Sequence, residues 1–124
     1  MTNDPQIRVN MARSFLRELK QLKKKYRHVR DDVEELVEQL QRGEKPGDLL
    51  QDVQEGVYKV RLANRDAQRG TRSGYRVIYY VQLEESILLV FIYSKSDIAD
   101  VSPNEIKRLI DEAEQSLDDD NLKP

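Results

Sequence analysis

A chain of 124 residues with 35% charged and 38% hydrophobic side chains is sized for one compact domain and carries enough apolar material to fold. Its 21 Lys and Arg against 23 Asp and Glu give a formal net charge of −2, which excludes a uniformly basic protein that coats nucleic acid over its whole surface. Cysteine is absent, and with it disulfide frameworks, thiolate catalysis and cysteine-bound zinc.

Residues 1–10 hold neither an apolar signal core nor an Arg-rich, Ser-rich transit pattern. The longest apolar run, residues 87–93, is far shorter than the roughly 20 residues that cross a bilayer. A cytoplasmic location without membrane contact is therefore expected.

Residues 6–10 alternate Ile7 and Val9 with polar neighbours, which predicts a short first strand. Met11, Phe15, Leu16, Leu19 and Leu22 then recur at helical spacing, with Arg13, Arg17, Lys20, Lys23 and Lys24 opposite, predicting an amphipathic helix that ends near Tyr26. A second stripe of Val29, Val33, Leu36, Val37 and Leu40 begins beside Asp31 and Asp32 and stops at Gly43. The short joint between the stripes makes the pair a helical hairpin.

Residues 44–55 read as a polar connection in which Leu49 and Leu50 tuck under the domain. After it the period falls from 3.6 to 2. Residues 57–62 place Tyr58, Val60 and Leu62 on one face and Lys59 and Arg61 on the other. Residues 74–83 repeat the pattern, with Tyr75, Val77, Tyr79, Val81 and Leu83 together and Arg76, Ile78 and Tyr80 opposite. Residues 86–93, apolar on both faces, predict an interior strand. Ser102, Pro103 and Glu105 spell an N-cap, a first-turn proline and a capping box ahead of Ile106, Leu109, Ile110 and Ala113. The expected fold is a single α+β domain over residues 1–117 in the order β-α-α-β-β-β-α. Its four-stranded sheet is antiparallel or mixed, with the hairpin packed on one face, the helices mainly on that side, and residues 118–124 a disordered acidic tail.

The chemistry concentrates between Lys59 and Arg76. Lys59, Arg61, Arg65, Arg69, Arg72 and Arg76 are opposed only by Asp66, a local charge of +5 that leaves −7 for the rest of the chain. Strand cations also serve as edge protection, but that role does not require nearly one sign of charge, whereas a phosphate site does. Alternation sets Lys59, Arg61 and Arg76 on the sheet face away from the hairpin, with the Arg-rich loop as a rim, and Tyr80 on that face is placed to stack on a base. His28 is the only histidine and reads as a surface residue. The carboxylate clusters lack the spacing of an oxygen-ligand metal site, and no Walker loop, Rossmann glycine pattern or nucleophile elbow is present.

Four segments in order, Val57-Tyr58-Lys59-Val60-Arg61-Leu62, Gly74-Tyr75-Arg76-Val77-Ile78-Tyr79-Tyr80, Ile92-Tyr93-Ser94-Lys95-Ser96-Asp97 and Glu105-Ile106-Lys107, resemble the RelE/ParE superfamily of bacterial toxins from type II toxin-antitoxin modules. The likeness spans most of the chain and is strongest to the RelE and HigB-like members. It implies a ribosome-dependent endoribonuclease that cleaves mRNA by 2′-hydroxyl attack without a metal or other cofactor. The implied partners are the ribosome, its mRNA and a cognate antitoxin.

By the same resemblance Arg76 holds the scissile phosphate, Arg61 stabilises developing charge and Lys59 acts as base if neighbouring cations depress its pKa. Lys95 serves as acid or phosphate contact, while Arg65, Arg69, Arg72, Tyr80 and Tyr93 bind RNA. One departure stands out: Val101-Ser102-Pro103 occupies the stretch where such toxins usually carry a Tyr or His, so either Lys95 or Tyr93 substitutes, or the activity is weak, or the target differs. The ParE branch uses the same scaffold to inhibit DNA gyrase by binding, and a non-catalytic binding protein is a further alternative.

Overall fold

The computed structural model describes residues 7–66, 74–83, 86–98 and 100–122. In chain order they form β1 (Arg8–Met11), α1 (Arg13–Lys25), α2 (Val29–Gln41), β2 (Asp48–Leu49), β3 (Val57–Leu62), β4 (Tyr75–Leu83), β5 (Ser86–Ser94) and α3 (Pro103–Leu122). One sheet runs in the order β1-β5-β4-β3-β2, with β1 parallel to β5 and the other neighbours antiparallel. The class is α+β as expected, but the strands number five rather than four. Among the described residues no helix is long and apolar enough to cross a membrane.

The additional strand is β2, inside the stretch expected to be a polar connection. Asp48 and Leu49 pair with Lys59 and Tyr58, and Leu49 stays 48% exposed instead of tucking under the domain. Gly47 permits the pairing: its φ is +97°, and a Cβ there would lie 2.4 Å from the Lys59 carbonyl oxygen. The Tyr79 hydroxyl donates to the Pro46 carbonyl at 2.5 Å and fixes the same turn.

The hairpin forms as its stripes dictate. Phe15, Leu19 and Leu22 of α1 and Val29, Val33, Leu36 and Leu40 of α2 are buried, each contributing about 1.5–3 kcal/mol by leaving water. Lys23, Lys24 and Lys25 close α1, where cations favour the negative end of the helix. At the end of α2, Gly43 takes a φ of +92° while its N–H donates to the Leu40 carbonyl and that of Glu44 to the Gln39 carbonyl, a Schellman termination. The register skips Val90 between β4 and β5, and the Ser14 hydroxyl donates to this bulged residue's carbonyl at 2.6 Å, tying α1 to β5.

One sheet face carries Tyr58, Val60, Leu62, Tyr75, Val77, Tyr79 and Ile92 toward the hairpin, with the Tyr26 ring edge-on to Tyr75 at 5.7 Å. The opposite parity contains Val57, Ile78 and Leu88, which are equally buried. That face is covered by α3, whose Ile106, Leu109, Ile110 and Ala113 are buried and whose Glu114 lies close enough to Tyr80 to influence its hydroxyl. Two of the three helices thus share one face and α3 takes the other. The α3 backbone also stays helical to Leu122, into the stretch expected to be a disordered tail.

Candidate functional site

Register decides which cations meet. Arg61 of β3 is directly opposite Arg76 of β4, and Arg76 is directly opposite Tyr93 of β5, so the three side chains cross the sheet in one row on the face away from the hairpin. Adjacent strands are about 4.8 Å apart, which puts the two arginines within reach of one phosphate. Lys59 follows on the same face, opposite Ile78. Gly74 sets this pairing, because a Cβ there would fall 2.0 Å from the Leu62 carbonyl oxygen.

The two arginines differ in environment. Arg76 is only 6% exposed, and its Nη1 makes long contacts to the carbonyls of Tyr75 at 3.3 Å and Gly74 at 3.5 Å. Arg61 is exposed and, among the described residues, has no ion-pair partner. Like charges directly opposite each other in a sheet are unfavourable, so the pair is an arrangement that an anion would relieve.

Lys59 is engaged differently. Its Nζ donates to Asp100 Oδ1 at 3.0 Å, and the same oxygen accepts from the Tyr93 hydroxyl at 3.4 Å and from the Val101 N–H at 2.9 Å. Donation from Lys59 holds the Asp100 carboxyl below its ordinary value, with the Val101 N–H adding to the effect and burial opposing it. Burial, reinforced by Asp100, pushes the Tyr93 hydroxyl up to about 12 against the opposing charge of Arg76, so it is a neutral phenol at physiological pH. The charged group on the Lys59 Nζ is thus a carboxylate rather than another cation, and the ion pair lies on the same face as Arg61 and Arg76.

The remaining sequence candidates divide. Lys95 is exposed, and its backbone N–H donates to the Gly74 carbonyl at 3.1 Å, at the same end of the sheet as Arg76. Tyr80 shares the face, but it lies four residues along β4 from Arg76, about 13 Å at strand rise, and belongs to the opposite end. Arg65 leaves the strip altogether: its Nε donates to the buried Asp32 at 2.7 Å and its Nη2 to Glu35 at 2.9 Å, both on α2. Asp66 is drawn the same way by the His28 backbone N–H and ring Nδ1, each at 2.7 Å. Arg69 and Arg72 lie outside the described residues.

Asp100 is the group that sequence reasoning missed. It is separated from Lys59 by 41 positions and falls in no periodic element, so its only signal is its place just ahead of the α3 cap. Beside the ion pair a cavity of about 250 Å³ is walled by Leu50, Val53, Val101 and Ile106, with Lys59 and Asp100 among its lining. Among the described residues no group of three or more His, Asp or Glu is arranged to hold a metal ion.

A family model for the RelE toxin of the RelE/RelB toxin-antitoxin system matches residues 7–123. A comparison with curated proteins finds no significant match. With nearly the whole described chain matched, and with a mixed sheet that sets Lys59, Arg61 and Arg76 on one face, the chain belongs to the RelE toxin family.

Proposed function

We propose that this toxin is a ribosome-dependent endoribonuclease that cleaves mRNA in the absence of a metal. The observation that carries the reading is the direct opposition of Arg61 and Arg76 across β3 and β4. RNA brings its own nucleophile, the 2′-hydroxyl, so the protein must grip the phosphate, stabilise the added charge of the phosphorane and manage two protons. Arg61 and Arg76 supply the grip, Arg76 holding the phosphate and Arg61 meeting the developing charge. Lys59 adds a third cation from the same face, and Lys95 contacts the flanking backbone from the rim. Tyr93, a neutral phenol beside Arg76, orients the phosphate by hydrogen bonding.

Family membership supports pairing with an antitoxin. An acidic segment ordered on binding would complement the exposed cations and compete with RNA for them. The test is induced expression in bacteria with nucleotide-resolution mapping of message ends. Cuts inside translated codons, lost in Arg61→Ala, are the expected result. DNA-damage signalling without such cuts would move the protein to gyrase inhibition, and growth arrest with neither would make it a binding protein.

A further inference from the structure

We infer that Asp100 is the proton acceptor for the attacking 2′-hydroxyl, an inference that rests on the nuclease reading above. The site needs a base, and the groups around the arginine row narrow the choice. Tyr93 is a neutral phenol, and Arg61 and Arg76 do not release protons at physiological pH. Lys59 is an ammonium held against a carboxylate at 3.0 Å. His28 is on the hairpin side with Asp66. Among the described residues Asp100 is the carboxylate that reaches the row: it accepts from Lys59 of β3 and from Tyr93, the β5 residue directly opposite Arg76. Its side chain is 65% exposed, so a bound ribose can reach it. The charged and titratable groups that face it are Lys59, Tyr93 and, across the shared cavity, Asp52.

The protons balance within the cluster. Asp100 takes the proton of the 2′-hydroxyl as O2′ bonds to phosphorus and the P–O5′ bond breaks. Lys59, freed from its ion pair by the neutralisation of Asp100, gives a proton to the departing O5′. The products are a 2′,3′-cyclic phosphate and a 5′-hydroxyl. A final proton transfer from Asp100 to Lys59, along the hydrogen bond that already joins them, restores the starting charges.

The experiment is single-turnover cleavage of a defined message on purified ribosomes by the full-length chain, from pH 5 to pH 8, with thermal unfolding of each variant as a control. Asp100→Asn, which can still accept a hydrogen bond from Lys59, is expected to lower the rate at least about 100-fold at every pH, the usual scale of general-base catalysis. Asp100→His is expected to recover part of that rate and to acquire a new loss of activity below about pH 6.5, the imidazole range. A group that only positions Lys59 would be replaced by Asn with little loss of rate, because the amide oxygen still accepts from Nζ. An Asp100→Asn rate within about threefold of wild type, or an Asp100→His profile parallel to wild type, overturns the assignment. If neither variant folds, partial rate in Asp100→Glu with the wild-type profile supports it, and full loss in that folded variant refutes it. Absence of cleavage by the wild-type protein itself would instead remove the nuclease reading.

Discussion

Replacing Arg61 by Gln should make the protein more stable and less active. Arg61 and Arg76 are direct cross-strand partners, which places their Cβ atoms about 5 Å apart, and like charges so placed cost about 0.2–1 kcal/mol. Arg76 is 6% exposed, so solvent screens it poorly, while exposed Arg61 is well hydrated; the middle of that range, about 0.5 kcal/mol, is the reasonable expectation. For a domain of 124 residues this raises the unfolding temperature by about 2 °C. The gain should be largest near 10 mM salt, where the Debye length is about 30 Å, and vanish near 1 M, where it is about 3 Å. Urea unfolding at both salt concentrations gives the stability difference, and message cleavage on ribosomes should fall about 100-fold or more with the loss of one charge-stabilising donor. A variant that is less stable than wild type at low salt, or a stability difference indifferent to salt, would refute the idea that the pair is held together against its own repulsion.

Gly74→Ala should lower unfolding stability by about 1–3 kcal/mol and reduce cleavage without touching a cation, because its new methyl would displace the Leu62 carbonyl and shift Arg61 against Arg76; urea midpoints and cleavage rates report both effects. Ser102→Ala removes the oxygen that accepts the Glu105 N–H at 3.2 Å and should cost about 1 kcal/mol, with faster amide exchange confined to the first turn of α3. Asp66, whose carboxyl is held below its ordinary 3.8 chiefly by the His28 side-chain hydrogen bond, contributes stability that is complete above that value and is lost as pH falls through its lower folded-state value. The stability gap between wild type and Asp66→Asn should therefore close as pH falls below about 4, as read from urea midpoints.

The strands that build the site were legible because each carries its own signal. Residues 57–62 and 74–83 alternate with period two, and their parity correctly separates Lys59, Arg61 and Arg76 from Val60, Leu62 and Val77. The start of α3 was readable from Ser102, Pro103 and Glu105 for the same reason, since a cap is a local contact. What stayed hidden depends on distant partners. Asp48 and Leu49 form too short a strand to show any period, and an amphipathic stripe such as that of α3 does not say which side of a sheet it will cover. Charge counting treats Arg65 and Arg76 alike, although one turns to Asp32 on α2 and the other stays over the sheet. Nothing local in residues 97–102 announces that Asp100 will meet Lys59.

The parallel pairing of β1 with β5 joins Arg8 to Ser86 across most of the described chain. On a translating ribosome the first strand to emerge must therefore wait, unpaired, until the last strand has been made, and closing so long a loop is slow relative to the neighbouring hairpin contacts of β3, β4 and β5. The row formed by Arg61, Arg76 and Tyr93 also needs β5, and the Asp100 contact comes later still in the chain. Among the described elements the row is thus one of the later features to assemble, and it does so only once β5 has joined the sheet.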